Sequence, residues 1–497
     1  MMAGVGISGE RATGWWPSAG QATAVLLALL LLALAMTPIP AQVDYVNHLA
    51  RMGLLAAPGP HPAYVVTWSL TPNLAMDIIV PALARVMPVA DAARLFLALT
   101  WGVVVSGAIA LERAVKGRHV AAGLCAVPVL FSLPFAWGLG NSNLGLGLAV
   151  WGVALWVRLA EAPLWRRWLV HCAVTLVLFF THFFALGCYG VVIGLIELAR
   201  LAQGKLSWRR AAVLALLMAA PVGVLLALMR LTGGTIGGQL IVWDWAQKAQ
   251  GLVRFWNGAD ARLALASALV VVLLIGFMVA RHQLRLTQPG RWVAGGLALL
   301  WLVLPWQLFD IAFLDVRVLA LAVLVVPAFL AFTPSRAGAV VLVGLALVNG
   351  AVTVAGWAAH QADYRAFQAS FAALPRGAAV LTAVTADSDA DDAPLYYAPA
   401  LAVPARGVFV ASFYAFGGAQ PVAVAPRYAD RAPRAGMDYL PVLLPVLLEG
   451  DPPPHARNWR QRYDYLYVIG PAPDAPPPGL QEVAAGRRFR LYRIVRP

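Results

Sequence analysis

Asp44, Tyr45, Val46, Asn47, His48, Leu49, Ala50 and Arg51 follow directly on the first long apolar run of the chain, residues 22–40. An acid, an imidazole and a guanidinium therefore emerge together just where the chain leaves a bilayer. At helical spacing Asp44 and His48 are four residues apart and Asp44 and Arg51 seven apart, so all three share one helix face. That face predicts a polar site opening at a membrane surface.

The rest of the chain makes the apolar run a membrane span. Its 497 residues are 61% hydrophobic and 12% charged, with a mean hydropathy of +0.74, which excludes a soluble globule. The apolar runs have the length a helix needs to cross about 30 Å of hydrocarbon. The fold class is thus a polytopic α-helical membrane protein, with eleven spans expected near 22–40, 93–112, 120–137, 143–158, 168–184, 185–199, 211–229, 263–280, 292–309, 318–333 and 338–357. The first span lacks a small-residue cleavage site and is expected to remain as an anchor. Cys125, Cys172 and Cys188 lie inside apolar runs without metal-ligand spacing and are expected as core residues.

The net charge of +14 argues against nucleic acid by its placement. Residues 361–497 are nearly balanced, with 14 basic and 12 acidic side chains, so the excess lies in the membrane part. There it clusters in short connections: Arg113, Lys116 and Arg118; Arg158, Arg166 and Arg167; Arg200, Lys205, Arg209 and Arg210; Arg281, Arg285 and Arg291; and Arg336. Cytoplasmic loops carry this bias. The expected organisation is a cytoplasmic N-terminus (1–21), a transmembrane domain (22–360) with a first outer loop at 41–92, and an extracytoplasmic α/β domain (361–497) at the C-terminus. The parity holds if residues 72–88 form an interfacial helix rather than a span. The long outer connection at 230–262, with its glycine run and Trp243-Asp244-Trp245, is expected to be a mobile loop.

Short β-like runs at 378–384, 408–411, 421–424, 465–469 and 491–495 predict the α/β domain. None of the eleven acids in residues 1–360 falls in the middle of a span, where an ion-coupled transporter would need one. Polar groups instead converge on the outer face: Asp44, His48, Arg51, Asn141, Asn143, His182, Asp310, Asp315 and Arg317. Such a site suits a lipid whose phosphate lies at headgroup level. A carboxylate, Asp44, would take a proton from an incoming hydroxyl while an arginine, Arg317, or a metal neutralises the phosphate leaving group. His182 reads as a substrate contact, a metal ligand or a plain interhelical hydrogen bond. Asn141 and Asn143 would bind sugar hydroxyls or simply shape a turn.

On these residues the chain resembles the GT-C superfamily of integral-membrane glycosyltransferases, especially the bacterial branch similar to protein O-mannosyltransferases and the aminoarabinose transferase of lipid A. In that branch an acid follows the first span in a pattern of Asp-Glu, an aromatic and Ala-Arg. Asp44 matches the Asp, His48 stands for the aromatic and Ala50-Arg51 for Ala-Arg, while Tyr45 replaces the second acid. The resemblance implies a polyprenyl-phosphate sugar as donor, a lipid, glycan or protein as acceptor, and inverting transfer on the outer face of a bacterial inner membrane. Asp44 would be the base with His48 beside it, and Arg51, Arg317, Asn141, Asn143 and His182 would contact the substrates. It also implies, for some members, a divalent metal (Mg or Mn), for which Asp44 and Asp315 are the carboxylates considered. Two rival functions are a lipid or polysaccharide flippase or exporter, with an Arg-lined cavity through the bundle, and a non-catalytic assembly protein.

Overall fold

The computed structural model describes residues 18–496 apart from 58, 239, 283, 310, 332–334, 434, 435 and 472–474. Asp310 and most of the expected cytoplasmic N-terminus therefore lie outside the described residues. The chain is helical through its first three quarters, and its helices follow the apolar runs. In order they are α1 (Ala19–Met36), α2 (Tyr45–Ala56), α3 (Ala75–Leu83), α4 (Val89–Lys116), α5 (Ala122–Ala126), α6 (Leu133–Ala136), α7 (Gly140–Arg158), α8 (Leu164–Thr181), α9 (Phe183–Ala202), α10 (Trp208–Leu231), α11 (Trp245–Arg254), α12 (Ala261–Ala280), α13 (Gln288–Val303), α14 (Leu314–Val325) and α15 (Arg336–Ser370).

Among the described residues, seven helices are long and apolar enough to cross a membrane: α1, α4, α8, α9, α10, α12 and α15, the last with its short extension. The lipid-facing ones keep large apolar side chains outside, such as Leu216 on α10 and Val272 and Leu273 on α12. This is a multi-pass membrane protein. Four of the expected spans take other forms. Residues 120–137 break into α5, a 3-10 turn (Val127–Phe131) and α6, because Pro128 and Pro134 withhold amide donors and cannot continue a helix. The run at 318–333 is the twelve-residue α14 followed by a second 3-10 turn. The first segment is almost wholly buried in protein, the condition under which irregular backbone is tolerated at membrane depth, and the second is buried or half-buried from residue 318 to 330. α7 and α13 are continuous helices but fall short of the seven in length or apolarity.

Residues 72–88 contain only the nine-residue α3, about 14 Å long at 1.5 Å per residue, which is half of what a span needs. The connection after α10, expected to be a mobile loop, carries a short strand and a helix. Strand β2 (Ile241–Val242) pairs antiparallel with β3 (Gln307–Leu308), and Asp244 caps α11 by accepting from the Gln247 amide at 2.9 Å.

α4 and α7 approach closely because glycine lets them. A Cβ on Gly147 would lie 2.9 Å from the Val104 amide nitrogen, and one on Gly107 would lie 2.9 Å from the Gly147 carbonyl. Gly147→Ala is expected to destabilise the protein by about 1–3 kcal/mol through overpacking. Thermal unfolding in detergent reads this; an unchanged midpoint would mean that the two helices can part freely.

The C-terminal quarter is a six-stranded mixed sheet. β4 (Ala379–Val384) runs parallel to β5 (Phe409–Val410), β7 (Val442–Leu443) and β8 (Tyr465–Ile469). β10 (Phe489–Ile494) pairs antiparallel with β8 and with β9 (Leu480–Ala485). The expected boundary at 360/361 falls inside α15, which continues to Ser370 before the sheet begins. The strand expected at 421–424 leaves this sheet: β6 (Val422–Val424) pairs with β1 (Tyr64–Val66) of the loop between α2 and α3. That pairing lays the C-terminal region across the loop that follows α1.

Candidate active site

A short strap brings Asp44 to its place. The third apolar run stops at Ala136, which frees its last carbonyls. Gln42 Nε2 donates to the Phe135 carbonyl at 2.7 Å, and the Asp44 amide donates to the Trp137 carbonyl at 2.8 Å. Gly138 turns the chain away with φ of 78°, where a Cβ would come within 3.0 Å of the Tyr45 nitrogen. Asp44 then starts α2, and its carbonyl accepts from the His48 amide at 3.0 Å.

Above this strap lies a cavity of about 460 Å³, walled by Asp44, His48, Arg51, Asn141, His182 and Arg317 among others. The expected helical face of Asp44, His48 and Arg51 thus lines one space. Tyr414 donates its phenol hydrogen to Asp44 Oδ1 at 2.9 Å. Burial pushes the Asp44 carboxyl up to about 7; the bond from Tyr414 and the charges of Arg317 and Arg51 offset part of that rise. His48 has a buried Nδ1 without a hydrogen-bond partner among the described residues and presents its ring edge-on to Tyr414, with centroids 5.8 Å apart. Burial first, and Arg51 second, hold its imidazole well below the usual range, so it is neutral at physiological pH.

Arg317, near the start of α14, donates from Nη1 to Ser142 Oγ at 2.8 Å, and the same nitrogen stands 3.4 Å from His182 Nε2. Its Nε is buried without a hydrogen-bond partner among the described residues, as is His182 Nδ1. Arg317 and His182 are 135 residues apart in sequence and meet at this wall.

Three expected contacts are spent elsewhere. Two nitrogens of Arg51 face the two oxygens of Asp77, at 2.8 and 3.1 Å, and Nη1 donates to Gln420 Oε1 at 2.8 Å. Its fork is taken mainly by a carboxylate of the protein, while the side chain still touches the cavity. Asn141 touches the cavity, but Oδ1 accepts from the Met76 amide at 2.8 Å and Nδ2 donates to the Asn73 carbonyl. Asn143 is buried outside the cavity wall, with Nδ2 on the Pro134 carbonyl at 3.1 Å. Both asparagines shape the backbone.

Among the described residues no three His, Cys, Asp or Glu side chains gather into one group, and Asp44 is the single carboxylate of the cavity wall. Asp315 is buried away from the cavity wall, with Gly251 beside it and its charge toward Lys248, so it does not join Asp44 as a second carboxylate. No step is routed through a metal.

Ser142, Gln247, Gln250, Arg254, Tyr397 and Tyr414 also line the cavity and were not singled out in the sequence. Gln247, Gln250 and Arg254 stand at i, i+3 and i+7 on α11, a spacing visible in the sequence once Asp244 is taken as a cap. The tyrosines carry no such signal.

Fold and cavity together define a multi-pass membrane protein with a polar, arginine-lined site at one end of its helix bundle, closed on one side by loops of the C-terminal region. No protein-family model matches the chain, and no curated protein matches it. Among solved structures it is similar in fold to ArnT from Cupriavidus metallidurans, both in the apo state (TM-score 0.53) and bound to undecaprenyl phosphate (TM-score 0.51). Each similarity covers 98% of this chain and 99% of that one at 12% sequence identity.

Proposed function

We propose that the protein is a membrane glycosyltransferase that moves a sugar from a polyprenyl-phosphate donor to a hydroxyl of a lipid, glycan or protein acceptor. The observation that carries this reading is the pairing, in one cavity, of a buried carboxylate of raised proton affinity with an arginine whose Nε has no hydrogen-bond partner among the described residues. The ArnT-like fold, in a relative solved with undecaprenyl phosphate, supports the lipid-phosphate half of the reading.

In the proposed step the acceptor oxygen attacks the anomeric carbon and loses its proton to Asp44. The bond from that carbon to the phosphate oxygen breaks with its electron pair, and polyprenyl phosphate leaves with inversion at the sugar. Arg317, held by Ser142 and His182, meets the growing phosphate charge. Neutral His48 and the polar face of α11 offer hydrogen bonds to sugar hydroxyls. Because the leaving group is a lipid phosphate, no nucleotide-binding fold is needed.

The cavity is proposed to face away from the cytoplasm of a bacterial inner membrane. The basic clusters lie at the ends of α4, α7, α9 and α12 and at the starts of α8, α10, α13 and α15, whereas the cavity is reached from the start of α7, the junction of α8 and α9, and the start of α14. A flippase would need a polar path running through the bundle; the cavity described here is confined to one end of it.

Transfer of radiolabelled sugar from a panel of polyprenyl-phosphate donors by the purified protein tests the reading, and turnover of none of them counts against it. Activity is expected to climb as pH rises through about 7, because the base must be ionised and burial keeps its proton on until then. Stability has the opposite sign. The folded state holds this proton more tightly than the unfolded chain, so the contribution is full below about pH 4 and is lost as pH rises toward 7. Thermal unfolding of wild type minus that of Asp44→Asn isolates it, and a difference that grows with pH would contradict the assignment.

A further inference from the structure

The C-terminal region makes its hydrogen bond to the carboxylate from residues 412–416, between β5 and β6. Asn47, fully buried in the first turn of α2, grips that segment on both sides of Phe413. Its Nδ2 donates to the Ser412 carbonyl at 2.8 Å, and its Oδ1 accepts from the Tyr414 amide at 2.9 Å. Ser412 is tied back to the sheet by its hydroxyl, 3.2 Å from Thr382 Oγ1 on β4. The Tyr414 ring is set against Tyr397 at 5.1 Å and Tyr439 at 5.7 Å between centroids, which leaves its hydroxyl aimed at Asp44.

The groups that face Asp44 come from several elements: Arg51 and His48 from α2, Arg317 from α14, and Tyr397 and Tyr414 from the C-terminal region. Of these only Tyr414 has a hydrogen bond to the carboxylate. The two arginines act on it through charge alone, and Arg51 is already engaged with Asp77.

We propose that Tyr414 is a positioning residue for Asp44, so that the C-terminal region completes the catalytic carboxylate rather than only covering the cavity. The inference rests on Asp44 acting as the base. A phenol donating to one carboxylate oxygen fixes the rotamer and leaves the other oxygen for the acceptor hydroxyl; it also favours the ionised form in a place that burial makes unfavourable for charge. The Asn47 grip explains why an isolated transmembrane part would lack this geometry. Residues 47 and 414 are 367 apart in sequence, and the grip forms only when the C-terminal region is seated.

The test uses the full chain with Tyr414→Phe and reads the Asp44 carboxyl directly, by infrared difference titration of each protein against the same protein carrying Asp44→Asn. The titration midpoint is expected to rise by about one unit, which makes the ionised fraction below the midpoint about tenfold smaller. The acid limb of the kcat profile moves with it while KM for the donor stays. Asn47→Ala, which frees the segment without touching the phenol, shifts the midpoint in the same direction and serves if Tyr414→Phe does not fold. Tyr428→Phe removes a phenol that donates to the Gly377 carbonyl in the same region, away from the cavity, and is expected to change stability without moving the midpoint. A midpoint in Tyr414→Phe equal to that of wild type overturns the proposal. A midpoint that shifts in a protein that turns over no donor leaves the positioning role standing and sinks the transferase reading instead.

Discussion

Asp44→Asn is expected to lower kcat for sugar transfer by a factor of about 10²–10⁴, the range that loss of a general base produces. The change keeps the volume of the side chain and an oxygen for the Tyr414 hydroxyl, so folding and donor binding should survive. What disappears is the ability to accept the acceptor's proton as the bond forms. An amide cannot do so, and the attacking oxygen would then carry its proton into the transition state. The measurement is single-turnover transfer at pH 8, where the wild-type carboxyl, with its proton affinity set at about 7, is ionised. Transfer by Asp44→Asn at the wild-type rate would remove Asp44 from the mechanism and point to another group of the cavity wall. A raised donor KM with kcat intact would make Asp44 a binding group.

The second large effect falls on folding. The side chains of Arg51 and Asp77 are 2% and 0% exposed, and they join α2 to α3 beneath the cavity. Arg51→Met leaves a buried carboxylate without its counter-charge, a change that costs about 3–5 kcal/mol in comparable pairs. The double variant Arg51→Met with Asp77→Leu is expected to regain most of that loss, because it removes both charges and fills the space with apolar atoms. Arg51→Lys should not rescue. A single ammonium cannot face both oxygens of Asp77 and still reach Gln420, as the three nitrogens of Arg51 do. Thermal unfolding in detergent decides the matter, and a midpoint for Arg51→Met within a degree of wild type would show that the ion pair contributes nothing net.

Much of the architecture can be read along the chain. Apolar runs near the length of a span mark where helices lie, since α1, α4, α8, α9, α10, α12 and α15 each cover one. Prolines at 128, 134 and 327 stand where the helical path is interrupted, yet apolarity alone does not separate a lipid-facing helix from a segment buried in protein. Hence the runs at 120–137 and 318–333 read as spans and fold as broken interior pieces. The face of Asp44, His48 and Arg51 was legible because it depends only on local helical geometry, and His182 and Arg317, read as converging on the same site, do line the same cavity.

The role of Arg51 was not legible, because its partners, Asp77 and Gln420, lie 26 and 369 residues away. The same holds for the asparagines at 141 and 143, expected in a turn, which lie in the first turn of α7 and donate their amide hydrogens to backbone carbonyls. A side chain's type states what it can bind; only its neighbours state what is left free.

Sequence by itself determined that this chain enters a membrane, roughly where it does so, and which stretch carries acid, base and guanidinium to one face. Those properties follow from composition and from the 3.6-residue period, both written locally. The tertiary structure decided which of the polar groups remain available: Arg317 next to His182, Arg51 locked to Asp77, and Tyr414 brought across from the C-terminal sheet to Asp44. These pairings depend on packing between elements hundreds of residues apart, where a few directed hydrogen bonds select among contacts that no local pattern distinguishes.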